Sequence, residues 1–173
     1  MGNTVRTDIY LRPGDIFISG EPATISTVLG SCVSVTMFNQ EQKIGAICHN
    51  LLPVCKDKSR CRDNCPQAFR YVECTITRMV KEFTSRGIYL GDIEVKLFGG
   101  ADMFNVKISN TGPLTVGKQN IETALRILSE TGLRISASDT GGSEGRKIIF
   151  HTHTGKVLLK RLNRIEMKKY GNE

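Results

Sequence analysis

Two short runs of alternating side chains place the tightest limit on how this chain folds. After Cys32 the apolar residues recur as Val33, Val35 and Met37, and in the next run as Ile44, Ala46 and Cys48, with the polar stretch Asn39-Gln40-Glu41-Gln42 between them. A period of two belongs to strands with one buried face, and a polar quartet between two such runs reads as a hairpin loop. If Phe38 pairs with Lys43 across that loop, Ser34 faces Ile47 and Cys32 faces His49. A directly opposed pair has its Cβ atoms about 5 Å apart. The alternation also puts Cys32 and His49 on the face opposite to Val33, Val35 and Ile44, away from the side chains that pack the core.

A thiol beside an imidazole suits nucleophilic catalysis. A free cysteine, with a pKa of about 8.5, is mostly protonated at neutral pH, and an adjacent imidazole takes the proton and stabilises the thiolate. Gly30 and Ser31 lead into Cys32, and a glycine there lets the backbone turn sharply and bring amide hydrogens to a developing oxyanion. A third group should orient the imidazole. Thr24, Ser26 and Thr27 all stand just upstream, and spacing does not choose among hydroxyls that accept an imidazole N–H and fix its tautomer. On a cysteine and a histidine alone, a small strand residue and a strand-end imidazole are the preferred reading.

Five stretches of the chain shift that balance. They are Thr27-Val28-Leu29-Gly30-Ser31-Cys32-Val33-Ser34-Val35, Gly45-Ala46-Ile47-Cys48-His49-Asn50-Leu51-Leu52-Pro53, Phe98-Gly99-Gly100-Ala101-Asp102-Met103-Phe104, Gly117-Lys118-Gln119-Asn120, and Ser138-Asp139-Thr140-Gly141-Gly142-Ser143-Glu144-Gly145-Arg146-Lys147. In content and order they resemble the chemoreceptor glutamine deamidase family CheD, from about Arg12 to Leu162. The resemblance implies Cys32 as nucleophile and His49 as general base, the pair the hairpin selects. It implies as third residue a hydroxyl six positions before the cysteine, usually threonine and here Ser26.

The implied reaction turns specific glutamines on the cytoplasmic helices of methyl-accepting chemotaxis receptors into glutamates, with release of ammonia and without a cofactor. In some organisms the resemblance also implies docking of the adaptation phosphatase CheC, for which the apolar tip Met103-Phe104 offers a surface. An ordinary core-closing loop is the plainer reading of that tip. Asp139-Thr140-Gly141-Gly142 reads as a polar glycine-rich loop lining the substrate cleft. The competing hypothesis is a binding protein that regulates CheC or the receptor, with catalysis minor. The family's fold is implied to be layered and similar to that of toxin-type deamidases.

The rest of the chain reads as scaffold. Pro66 is placed to open a helix carrying Phe69, Val72, Ile76, Met79, Val80 and Phe83 up to Gly87; Ile93, Val95 and Leu97 alternate as a strand. A second helix runs from about Gly117 through Ile121, Ala124, Leu125 and Leu128 to Gly132. A strand at residues 133–137 and a hairpin with Ile148 and Phe150 opposite Val157 and Leu159, turning near Thr154-Gly155, complete the pattern. Helices separated by strands and hairpins give an α/β or α+β layered sandwich with mixed or antiparallel strands and two main amphipathic helices.

With 173 residues and 39% hydrophobic content, one domain over residues 1–173 is expected, flexible over 1–10 and ending in a basic tail over 163–173. No segment approaches the roughly 18 apolar residues of a membrane span, so a cytoplasmic protein with no direct membrane insertion is expected. A net charge of +7 raises nucleic acid as a partner, but no nucleic-acid module appears and Tyr170 is the one aromatic residue near the basic cluster of Lys160, Arg161, Arg164, Lys168 and Lys169. A solvated basic tail is preferred, with steering toward acidic receptor helices as its functional counterpart. No metal site is expected. Cys55, Cys61, Cys65 and Cys74 lack the paired spacing of zinc knuckles, Cys48 reads as a core residue, and His151 with His153 as exposed hairpin residues.

Overall fold

The computed structural model describes residues 7–56, 65, 67–102 and 114–170. The alternating runs form β4 (Val33–Asn39) and β5 (Ile44–Cys48), the middle of a five-stranded sheet with β2 (Ile16–Ser19), β6 (Ile93–Gly99) and β7 (Ile135–Thr140) in the order β2-β5-β4-β6-β7. A second sheet joins β1 (Thr7–Tyr10), β3 (Ala23–Leu29), β8 (Gly145–His151) and β9 (Val157–Leu162) in the order β1-β3-β8-β9.

Two apolar clusters follow from the alternation. Val33, Val35, Met37, Ile44, Ala46 and Cys48 pack with the buried faces of α1 (Val72–Thr84) and α2 (Val116–Glu130). From the other face of the same sheet, Ile47 and Phe98 meet Ile25, Leu29, Ile148 and Phe150 of the second sheet. The layers are therefore helices, sheet and sheet, the α+β layered sandwich expected from the pattern. Because both faces of the middle sheet are covered, the face carrying Cys32 and His49 is not solvated as expected. His49 keeps only 2% exposure and Cys32 is half-buried.

Several boundaries differ from the sequence expectation for local reasons. In the hairpin, Asn39 pairs with Ile44 and Thr36 with Ile47, one residue further along each strand than the Phe38–Lys43 pairing. Lys43 takes a left-handed φ of 54° and the Asn39 side chain accepts a hydrogen bond from the Gln42 N–H at 2.8 Å, so the turn absorbs Lys43. Pro66 lies outside the described residues. Ala68–Arg70 form a 3-10 turn and the α-helix starts only at Val72, because Tyr71 is extended and Arg70 O accepts from both Leu51 N and Leu52 N.

At the N-terminus, residues 7–10 of the segment expected to be flexible pair in parallel with β3. The basic tail is not merely solvated: α3 (Arg164–Lys168) is fixed by a capping box between Asn163 and Glu166, and Lys160 bonds Glu166 at 2.8 Å. The strand expected over 133–137 instead runs from Ile135 through Thr140, so Asp139 and Thr140 lie in β7 and not in a loop.

Candidate active site

Cys32 lies one residue before β4, and His49 one residue after β5. Past the hairpin the last backbone rung joins Val33 to Asn50, with N–H···O distances of 3.0 and 2.9 Å in the two directions. This register puts Ser34 opposite His49, and Cys32 opposite Leu51. A shift of two between expected and observed partners conserves the face, so the thiol and the imidazole remain on one side of the sheet as diagonal neighbours, whose Cα atoms are typically about 7–8 Å apart. Cys32 packs on the inter-sheet cluster with Phe17.

The imidazole is held from two sides. Its backbone is pinned by His49 N to Asp15 O at 3.0 Å and by Gly14 N to His49 O at 2.8 Å. Its Nδ1 lies 2.7 Å from Thr27 Oγ1, and the same hydroxyl donates to Leu11 O at 2.8 Å. A hydroxyl has one proton, and a carbonyl only accepts. The Thr27 oxygen therefore accepts from Nδ1–H, which leaves Nε2 with its lone pair.

Of the three upstream hydroxyls, the structure brings Thr27 to His49, and not Ser26. In β3 the side chains alternate, so Ile25, Thr27 and Leu29 point between the sheets while Thr24, Ser26 and Val28 point away. Ser26 instead contributes its backbone oxygen, which accepts from Leu11 N at 2.8 Å. Thr24 Oγ1 lies 3.5 Å from His151 Nδ1.

Burial acts on both reacting groups in the direction of neutrality. It pushes the Cys32 thiol up to about 11, opposed by its own backbone N–H. It pulls His49 down to about 4, opposed by the nearby Leu11 carbonyl, which favours the protonated ring, and by the charge of Asp15. At neutral pH the pair rests as thiol and neutral imidazole.

The turn through Gly30 and Ser31 is built against the end of β6. Gly30 O accepts from Ala101 N, and Cys32 O from Gly100 N, both at 2.8 Å. Gly99 has a φ of 101°, and a Cβ there would overlap the Cys32 carbonyl oxygen. The paired glycines therefore exist to let β6 close on the nucleophile turn. Sequence reasoning gave them no such role, although two adjacent glycines after an apolar strand were the available signal.

The other expected site residues are placed differently. Asp139 is engaged by Arg146 and Arg161, with N···O distances of 2.8 and 2.9 Å. Partial burial raises its pKa, but the hydrogen bonds and charges of the two arginines outweigh that and hold it below the usual carboxylate value. Thr140 pairs with Gly99, and Gly141 N donates to Gly99 O at 2.9 Å, so this segment buttresses β6. Met103, Phe104 and Cys61 lie outside the described residues. Cys48 is fully buried and donates to Asn50 Oδ1 at 3.0 Å. Among the described residues, no three His, Cys, Asp or Glu side chains gather as a metal site. His151 and His153 have ring centroids 6.4 Å apart.

A cleft of about 610 Å³ opens beside His49, lined by Tyr10, Arg12, Pro13, Val28, Met167 and Tyr170. Two of its walls come from segments expected to be flexible or solvated. Met167 reaches it because Gly145 has no side chain where the methionine packs, and Tyr170 is held with its ring centroid 5.5 Å from Lys147 Nζ.

Comparison with known proteins adds an independent observation. The family described as CheD chemotactic sensory transduction matches residues 51–161. The chain is 48% identical over 91% of its length to a probable chemoreceptor glutamine deamidase CheD 2 of Geobacter sulfurreducens, covering 92% of that protein. It is 35% identical over 90% of its length to a probable chemoreceptor glutamine deamidase CheD of Maridesulfovibrio salexigens, covering 92% of it. Against a protein of the same description from Methanococcus vannielii the identity is 32%, over 91% of this chain and 97% of that one.

Proposed function

This chain belongs to the CheD family, and from that premise we propose that it is a chemoreceptor glutamine deamidase in which Cys32 is the nucleophile, His49 the general base and Thr27 the group that orients the base. One observation carries the assignment of roles: the Thr27–His49 hydrogen bond, whose proton order leaves Nε2 unprotonated on a residue that shares a face of the sheet with Cys32.

The reaction begins with a neutral pair. As the Cys32 sulfur attacks the carboxamide carbon of a receptor glutamine, its proton passes to His49 Nε2, and the carbonyl oxygen becomes an oxyanion facing the turn through Gly30 and Ser31. The imidazolium then gives its proton to the amide nitrogen, the C–N bond breaks and ammonia leaves, with a thioester remaining on Cys32. Water attacks the thioester, its proton going to Nε2, and the C–S bond breaks to release glutamate and return the thiol. One water is consumed and one ammonia formed for each glutamine.

The low basicity of His49 keeps it unprotonated, and so available as a base, throughout the neutral range. Its conjugate acid is correspondingly strong, which favours proton delivery to the departing nitrogen.

The substrate is a glutamine on the cytoplasmic helices of methyl-accepting receptors, which places the protein in the cytoplasm. Among the described residues no helix is long and apolar enough to cross a membrane. CheC docking at Met103 and Phe104 belongs to the same proposal; Phe104→Ala is expected to weaken binding of purified CheC in a titration. The activity is tested by incubating the protein and its Cys32→Ala variant with a cytoplasmic receptor fragment and reading the roughly one-dalton gain of Gln to Glu by peptide mass spectrometry. Conversion by the parent protein alone is the expected result. Equal conversion by Cys32→Ala would remove Cys32 from the mechanism.

A further inference from the structure

Past the Val33–Asn50 rung the two strands that carry the reacting pair separate. A regular ladder would next join Ser31 to Leu52, but Leu52 N turns instead to Arg70 O at 3.0 Å, and Leu52 bridges Tyr71. The gap thus opened lies beside Cys32 on one strand and two residues past His49 on the other. Among the described residues, a single side chain spans it. Asn120, in the second turn of α2 and fully buried, donates from Nδ2 to Ser31 O at 3.1 Å and to Leu51 O at 3.0 Å.

Resting on the deamidase reading above, we propose that Asn120 is a positioning residue for the reaction, a side-chain rung that sets the separation between the nucleophile turn and the strand end carrying the base. The side chain type fits that task. A primary amide has two N–H donors on one nitrogen, and both are used on carbonyls that only accept, which fixes the amide orientation. Serine and threonine have one donor, aspartate has none, and glutamine is one methylene longer. Asn120 Oδ1 is buried without a hydrogen-bond partner among the described residues, and an unsatisfied acceptor is costly in a packed interior.

The anchorage of Asn120 is equally firm. Thr115 caps the helix by accepting from Lys118 N at 3.3 Å, and Gly117 lies so close to the β6 end that a Cβ there would be 2.6 Å from Gly100 O. Gly100 N in turn bonds Cys32 O. The consecutive carbonyls of Gly30, Ser31 and Cys32 are therefore all held, by Ala101, Asn120 and Gly100 respectively. Only the middle one depends on a side chain, and only that tie also reaches the base strand. With the three carbonyls fixed, the dihedrals of the turn are fixed, and with them the aim of the thiol. Misplacement of reacting groups by about 1 Å lowers rates about a hundredfold.

The test compares Asn120→Ala and Asn120→Ser with Thr152→Ala, a buried residue at the opposite end of β3 from Thr27 whose hydroxyl donates to Glu21 O at 2.9 Å. Each is assayed at a temperature where circular dichroism shows it folded. Two readouts are taken: kcat and KM on a receptor fragment, and the pH dependence of iodoacetamide labelling at Cys32, resolved by peptide mass spectrometry. Asn120→Ala is expected to lower kcat about 10- to 100-fold with KM changed less than threefold, and to move the Cys32 labelling midpoint down from about 11 toward 9 as the loosened turn hydrates the thiol. Asn120→Ser should fall between it and the parent, and Thr152→Ala should leave both readouts unchanged.

Parent-like kcat and labelling in folded Asn120→Ser or Asn120→Ala would overturn the proposal, as would equal effects in Thr152→Ala. Should Asn120→Ala not fold, Asn120→Ser decides alone. Should the parent protein convert no receptor glutamine, the deamidase reading fails, while the labelling midpoint still decides whether Asn120 positions Cys32.

Discussion

Replacing Thr27 by valine conserves shape and removes one hydroxyl. That hydroxyl accepts from His49 Nδ1 and donates to Leu11 O, and both partners are in the interior, where His49 has 2% exposure and Leu11 3%. An unsatisfied buried group costs about 1–3 kcal/mol, partly recovered by the better packing of a methyl group, so a net loss of about 2–3 kcal/mol is expected. In a domain of this size that lowers Tm by about 4–12 °C.

The effect on catalysis is separate. Without the acceptor at Nδ1 the imidazole loses its preference for the tautomer with a free Nε2. A preference of about 1.4–2.8 kcal/mol corresponds to about a 10- to 100-fold fall in kcat. KM should change little, because the hydroxyl lies behind the ring. The assay is ammonia release from a receptor fragment at a temperature where the variant is folded, with Thr27→Ser as the rescue and Ser26→Ala as the comparison. Thr27→Ser should restore most of the rate, and Ser26→Ala, whose side chain points away from His49, should keep it within about twofold. Parent-like kcat in Thr27→Val, or a loss in Ser26→Ala as large as in Thr27→Val, would refute the orientation argument.

Three further outcomes follow from the same structure. Between pH 6.5 and about 4 the unfolded chain binds a proton at His49 that the folded protein resists, so stability should fall as pH falls through this window, by about 3 kcal/mol from this residue alone at about 1.4 kcal/mol per pH unit; urea midpoints measured across the window check it, and a His49→Gln variant should lose that part of the slope. Asp139→Ala leaves Arg146, which has 3% side-chain exposure, without its carboxylate, and should destabilise by about 2–3 kcal/mol, below the roughly 3–5 kcal/mol of a fully buried pair because Asp139 retains 23% exposure; kcat and KM of the folded variant should be unchanged, and a selective rise in KM would return Asp139 to the substrate cleft. Gly99→Ala puts a Cβ into the Cys32 carbonyl at a φ of 101°, so it should cost at least about 1–3 kcal/mol in backbone strain and lower Cys32 labelling and activity together, with the thermal midpoint and the labelling rate as the measurements.

Alternation alone determined the β4–β5 hairpin, the inward face of α1 and the pairing of β8 with β9, because period two and period 3.6 are written in the order of apolar residues. It also determined that Cys32 and His49 share a face, since that depends on parity and survives the change of hairpin register. The register itself was not legible, because it turned on the left-handed backbone of Lys43 and on one side-chain bond from Asn39. Strand β3 was hidden because an inward threonine, Thr27, interrupts its apolar alternation between Ile25 and Leu29.

What only the tertiary structure decided is which hydroxyl meets the imidazole and how the nucleophile turn is held. Thr27 and His49 belong to different sheets, and Asn120 reaches Ser31 and Leu51 from a helix far along the chain. The sequence names the groups and, through periodicity, the face each occupies. Distances between groups on separate sheets and helices depend on how those layers pack, and no local pattern carries that information.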